Sequence, residues 1–263
     1  MHRLGRPAVV LALAALFATV TATGASATDD RSFDVTCSFS HEGPDDPIVY
    51  HGQPGASHHH MFFGNTSTNA YSTGESLYVN GDTTCDTPYD LSGYWTPDLR
   101  VDGRSVRPSY MVATYEARGK NDIEPFPFGL KMIAGDAHAH QPSDPAIVKW
   151  NCDGNETGGS SYQVPSCGWW QYTTLRYNFP DCWDGKNLDS PDHQSHMAHS
   201  RNGRCPSSHP REVPGVRMEY GYSGISNPGG VTLSSGDPKT AHADIFNAWD
   251  PLAFAGYVGL FLS

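Results

Sequence analysis

The sequence predicts a mainly β protein. It should be a single domain, sandwich or barrel-like, with long disulfide-pinned loops and a short C-terminal helix. Three observations carry this expectation. Apolar runs are short and bounded by Gly, Pro, Asn or Asp, the pattern of strands joined by turns. The 263 residues hold 27 Gly and 20 Pro with only 17% charged residues, which disfavours a helical bundle or coiled coil. Six cysteines, an even number, suit a disulfide framework. The 38% of hydrophobic residues is enough for a substantial core, so most of the chain should be ordered.

Taken in order, the chain opens with a targeting pattern. Arg3 and Arg6 precede an apolar stretch from Ala8 to Val20, and Ala25-Ser26-Ala27 offers a small-residue cleavage site. This reads as a secretory signal peptide over residues 1–27. Residues 28–32 then form a short tail and 33–263 one secreted domain. No later run is apolar and long enough to span a bilayer. Strands are expected at 33–39, 58–63, 76–79, 110–115, 130–134, 147–150, 171–179, 216–222 and 231–233. A helix is expected over 244–260, interrupted by Pro251. Residues 135–170 and 180–215, rich in Gly, Pro, Ser and Cys, read as pinned loops.

The cysteines are Cys37, Cys85, Cys152, Cys167, Cys182 and Cys205. Behind a signal peptide they imply an oxidising compartment and three disulfides, with fifteen possible pairings. Cys152 with Cys167 and Cys182 with Cys205 would close local loops, leaving Cys37 with Cys85. A zinc site is the weaker reading, because no CxxC pair exists. The formal net charge is -11, and losing Arg3 and Arg6 makes the mature chain more acidic. Nucleic acid and anionic membranes are therefore poor partners.

Histidine is the informative residue, with 13 copies. Ser57-His58-His59-His60-Met61-Phe62 places His58 and His60 on one face of a strand, a usual start for a metal site or an acid/base pair. The plainer reading is a polar strand edge. Asp181-Cys182-Trp183-Asp184 with His193 and His196 is a constrained loop dense in titratable groups, suited to acid/base work or merely solvated. His242 and Asp244 share a face if extended, and could bind a metal or act as an oriented base. An Asp capping the last helix is the alternative there. His138 and His140 have metal-like spacing but read as loop residues. His41, His51, His199 and His209 read as structural or surface residues. No GxSxG elbow, P-loop, dinucleotide glycine pattern or HExxH helix is present. Asn65-Thr66-Ser67 and Asn155-Glu156-Thr157 fit the glycosylation pattern.

A series of motifs runs in order along the chain. It comprises Asp46-Pro47-Ile48-Val49, residues 57–65, Tyr94-Trp95-Thr96-Pro97 and residues 179–185. Ser195-His196-Met197-Ala198 follows, then Cys205-Pro206 with His209-Pro210, and His242-Ala243-Asp244 with Asn247 and Trp249. This series resembles the secreted family of fungi and bacteria grouped as domain of unknown function 1996. The resemblance spans about residue 33 to the C-terminus. It implies one secreted domain with a shared site, and it fixes no activity. The polar positions it carries over are His58, His60, Asp184, His193, His196, His242 and Asp244. In relatives an acid often follows the paired histidines, where this chain has Met61.

The leading functional expectation is a secreted carbohydrate-active enzyme cleaving a polysaccharide by hydrolysis or β-elimination. Asp184 and Asp244 are candidates for the two carboxylates of hydrolysis. His196 or His60 is the candidate base of an elimination, since imidazole titrates near pH ~6.5. Trp95, Trp183, Tyr94 and Asn65 are the expected substrate-binding residues. A divalent metal ion held by His58, His60, His242 and Asp244 is the candidate cofactor, with no organic cofactor expected. Alternatives are a metal-dependent enzyme of another class, either phosphoesterase or copper oxidative, and a non-catalytic wall- or glycan-binding module. A monomer is expected, with a polysaccharide partner. The test internal to the structure is whether His58, His196 and His242 meet.

Overall fold

The computed structural model describes residues 31–155 and 158–263. The expected signal peptide and the start of the tail lie outside the described residues, as do two residues of the second glycosylation pattern. The strands are β1 (Ser32–Cys37), β2 (Phe39–Gly43), β3 (His60–Gly64), β4 (Gly93–Pro97), β5 (Leu99–Val101), β6 (Arg104–Ser105), β7 (Tyr110–Glu116) and β8 (Lys131–Gly135). They continue as β9 (Val148–Cys152), β10 (Thr173–Asn178), β11 (Cys182–Trp183), β12 (Met197–Ala198), β13 (Arg211–Glu212), β14 (Gly215–Tyr222), β15 (Val231–Leu233) and β16 (His242–Phe246). Helix α1 is Gly74–Asn80 and α2 is Pro251–Phe261.

Two five-stranded antiparallel sheets dominate. The first has the order β1-β7-β14-β10-β9 and the second β2-β3-β4-β16-β8. Alternation drives the edge strand β1: Phe33, Val35 and Cys37 are buried while their neighbours are exposed. The sheets pack face to face over one core. Phe63 of β3 meets Tyr220 of β14 with ring centroids 5.2 Å apart. Tyr94 Oη lies 2.8 Å from Tyr115 Oη, and Thr96 Oγ1 lies 3.0 Å from Tyr177 Oη, so these four hydroxyls inside the core have partners. The architecture is a sandwich with no closed barrel, and two three-stranded sheets, β12-β11-β13 and β15-β5-β6, flank it.

The second sheet is covered on its outer face as well. Phe62, Trp95 and Phe246 project there and are buried against Ile48, Leu77 and Ala248, which places α1 and the segment around residue 48 over the strands. The central strands β3, β4 and β16 are thus buried at every position. Three disulfides form, Cys37–Cys85, Cys152–Cys167 and Cys182–Cys205, the pairing that local loop closure favoured.

Several expected elements need correction. Residues 76–79 are not a strand. They lie in α1, where Thr73 Oγ1 accepts from Ser76 N–H and Ser76 Oγ accepts from Thr73 N–H. No helix begins at Asp244, because β16 is paired on both sides with β4 and β8. Pro251 opens α2 instead of interrupting it. As the first helical residue its missing N–H costs nothing, and the Asp250 carboxylate accepts from Leu252 and Ala253 N–H. Ser32, assigned to the tail, opens β1, and Arg31 donates to Leu262 O at 2.8 Å.

Candidate metal centre and its cavity

The site grows from the outer face of the second sheet. Strand register puts Phe62 opposite Trp95, Trp95 opposite Asp244, and Asp244 opposite Ile133, forming one row across four strands. Two residues along, His60 pairs with Pro97 and His242 with Gly135. His60 and His242 therefore rise on the strands either side of β4. Met61 and Ala243, one residue away, point into the core, as period-two alternation requires. Gly135 permits the close packing of β8 on β16, since a Cβ there would stand 2.2 Å from Ala241 O, and its φ is +92°. His58 enters from the loop before β3.

The three imidazoles converge. His58 Nε2 lies 3.2 Å from His242 Nε2, and His60 Nε2 lies 3.4 Å from the same atom. All three ligand atoms are within 4.8 Å of one another. The other ring nitrogens fix the tautomers. His60 Nδ1–H donates to Asp45 O at 2.9 Å, and His242 Nδ1–H donates to Thr240 O at 2.9 Å. A neutral ring with its proton on Nδ1 presents a bare lone pair at Nε2. Two such lone pairs therefore face each other. His58 can donate to one of them, but the other has no proton to meet. Protonation does not relieve this. Burial, reinforced by the neighbouring rings, pushes the His60 pKa well below the imidazole range, and that of His242 down to about 3. Burial and then His138 lower His58 to about 4.

Asp244 lies beside this cluster, two residues along β16 from His242. It is 1% exposed, and neither carboxylate oxygen has a hydrogen-bond partner among the described residues. Burial, with Asp46 nearby, holds its pKa well above the carboxylate range. A buried carboxyl without partners is costly, so such a group commonly signals a ligand or a proton-transfer role. Asp244, His58 and His242 all line a cavity of about 180 Å³. Val49 and Tyr50 form one wall, Asp136 and His138 another, and Asp192 to Gln194 a third.

The remaining expected residues are placed elsewhere. Tyr94 and Trp95 are completely buried, so neither can stack on a polymer; Tyr94 donates to Asp90 Oδ2 at 2.6 Å inside the core. Asn65 is completely buried too, clamping Leu77 O and Leu91 O through Nδ2. Trp183 donates to Asn187 O at 2.7 Å. Asp184 accepts from Lys186 and Asn187 N–H, closing a turn. His196 is buried with both ring nitrogens engaged, Nδ1 with Ser190 Oγ at 2.9 Å and Nε2 with Lys131 O at 2.7 Å. It holds its loop to β8 while His58 and His242 meet in the cavity. The metal set retains His58, His60 and His242, with Asp244 in the same cavity but outside the group of mutually close ligand atoms.

Sequence reasoning passed over Asp46, Asp136, His138 and Asp192 as parts of this cavity. Asp46 carried a visible signal, since an Asp before Pro-Ile-Val can cap the turn that follows. Its Oδ1 does accept from Ile48 and Val49 N–H, at 2.9 and 3.0 Å. Asp192 belongs to the loop dense in titratable groups, though no local pattern shows that this loop reaches the cavity, and nothing local marks Asp136, which arrives from a separate loop.

Fold and site together define a disulfide-stapled antiparallel sandwich with a cluster of three imidazoles beside a cavity on the outside of one sheet. The chain belongs to the family described as Domain of unknown function (DUF1996), whose model matches residues 46–249. That span contains His58, His60, His242 and Asp244. No curated protein and no solved structure matches the chain.

Proposed function

We propose that this protein is a secreted, divalent-metal-dependent hydrolase acting on a polysaccharide. The observation that carries the reading is the spacing of the imidazole nitrogens, 3.2 and 3.4 Å, with bare lone pairs turned inward. A tetrahedral ion with metal–nitrogen bonds of ~2.05 Å holds its ligands ~3.3 Å apart. His58, His60 and His242 would hold the ion, leaving one position open toward the cavity. Three histidines and an open position are a usual catalytic, not structural, zinc set. The Nδ1–H bonds to Asp45 O and Thr240 O orient the rings, as outer-shell carbonyls commonly do.

A bound divalent ion supplies a water acidified to a pKa near ~7 and a site that polarises the scissile group. Asp244 would be the group that takes up a proton at the reacting centre in this reading. Its unpartnered oxygens line the same cavity, so a base is placed there with no competing hydrogen bond to break. This assignment is favoured over hydrolysis by paired carboxylates, because Asp184 is committed to a turn. It is favoured over elimination with His196 as base, because both nitrogens of that ring are engaged. Secretion is supported by the signal-like N-terminus and three disulfides. Among the described residues no helix is long and apolar enough to cross a membrane.

The test is turnover on a panel of soluble polysaccharides, with chelator and with Zn²⁺ restored. Chelation and His60→Gln should each lower the rate by about 100-fold or more, and Asp244→Asn by roughly 100- to 10,000-fold. Undiminished turnover in chelator would contradict the reading. Tight glycan binding with no turnover would make the protein a binding module instead.

A further inference from the structure

We propose that the cavity takes glycans bearing free amines, in preference to neutral chains and to the exclusion of uronic-acid polymers. The inference rests on the reading of this cavity as the reaction centre and names its substrate class. Three aspartates besides the buried Asp244 line it, Asp46, Asp136 and Asp192, and among the described residues no lysine or arginine does. Asp136 and Asp192 stand at the rim, where an approaching polymer meets them first, and Asp192 is exposed. Asp192 is committed to its charge: Ser195 and Gln194 N–H and Ser190 Oγ–H all donate to its Oδ1, and these bonds hold its pKa well below the usual range.

An acidic cluster alone would mean little, since exposed carboxylates are ordinary. The independent observation is Asp244, 1% exposed, with both oxygens unpartnered and turned into this same cavity. An unsatisfied buried acceptor at the floor and fixed negative charge at the rim call for the same kind of guest, one that brings hydrogen-bond donors and positive charge. A 2-amino sugar has both. Its ammonium can sit against Asp136 and Asp192, while Val49 and Tyr50 offer an apolar wall to the C–H face of the ring. The whole chain, at a net -11, adds a field that draws polycations and repels polyuronates.

The experiment uses the full mature chain and three oligosaccharides of equal length: an oligoglucosamine, its fully N-acetylated counterpart and an oligogalacturonate. Affinity is measured by calorimetry at low and physiological salt, turnover by product chromatography, and metal content separately by elemental analysis. The oligoglucosamine should bind about three- to tenfold tighter than the neutral oligomer, with the gap shrinking as salt rises. Asp136→Asn and Asp192→Asn should each narrow that gap without changing metal content. The amide introduced by Asp192→Asn keeps an oxygen acceptor for its turn, so loss of fold is not the expected cause. Equal or tighter binding of the oligogalacturonate, or a gap that survives both substitutions, would overturn the proposal. Metal bound with no oligomer recognised would sink the substrate assignment and spare the metal centre. The amine oligomer bound with no metal at the histidines would do the reverse.

Discussion

At the scale of single residues, charge and proton position decide most outcomes. His60 shows it at the site: one hydrogen bond to Asp45 O fixes its tautomer and so decides what Nε2 can do. Asp181 shows it in the framework. Its Oδ2 accepts from Lys120 Nζ at 2.5 Å, both side chains are buried, and Ser200 adds bonds from N–H and Oγ–H at 2.7 Å each. Asp181→Asn leaves an ammonium buried without its counterion and should cost about 3–5 kcal/mol in urea unfolding at pH 7. Adding Lys120→Met should recover part of that loss. The pH dependence follows from the direction of the shift. Burial alone would raise the Asp181 pKa, but Lys120, Arg118 and Ser200 overcome it and hold the group below its ordinary 3.8. The unfolded chain then takes up a proton at higher pH than the folded one. The contribution of Asp181 is complete well above pH ~4 and is lost as pH falls through the folded-state value. A stability profile flat between pH 5 and 2 for wild type relative to Asp181→Asn would refute this account.

At the scale of elements, caps and alternation explain what was legible. Asp250 closes the N-terminus of α2 through Leu252 and Ala253 N–H and also accepts from Tyr78 Oη at 2.7 Å, joining α1 to α2. Asp250→Ala should cost about 1 kcal/mol and raise hydrogen exchange in the first turn of α2; unchanged exchange there would show that the cap is idle. β1 was readable because one of its faces is exposed, giving Phe33-x-Val35-x-Cys37. β4 was not, because Gly93-Tyr94-Trp95-Thr96-Pro97 is buried on both faces and carries no alternation. α1 was misread because its short apolar run of Leu77, Tyr78 and Val79 favours a strand, while the deciding Thr73–Ser76 bonds lie upstream of it. The site was half legible for the same reason. The i, i+2 pairs His58/His60 and His242/Asp244 announce shared faces once the backbone is extended. Their meeting depends on β4 lying between β3 and β16, an ordering no local pattern encodes.

At the scale of the molecule, two sheets share one core, and the outer face of the second is covered by α1 and the segment around residue 48 beside the histidine cavity. Cross-links hold the segments that build this cover. The Cys37–Cys85 bridge ties β1 to the chain just after α1 across 48 residues. Replacing both cysteines by serine should cost about 2–4 kcal/mol in denaturant unfolding, and an unchanged midpoint would show the bridge to be dispensable. The central claim is that the covered sheet opens onto a metal centre built by His58, His60 and His242. The most direct test is a calorimetric titration of the metal-stripped mature protein with Zn²⁺, run beside His60→Gln and His242→Gln. The account predicts one ion per wild-type chain, with affinity reduced at least ~100-fold in each variant while both retain the wild-type circular dichroism. Absence of binding in the wild type, or binding that survives both substitutions unchanged, would contradict it.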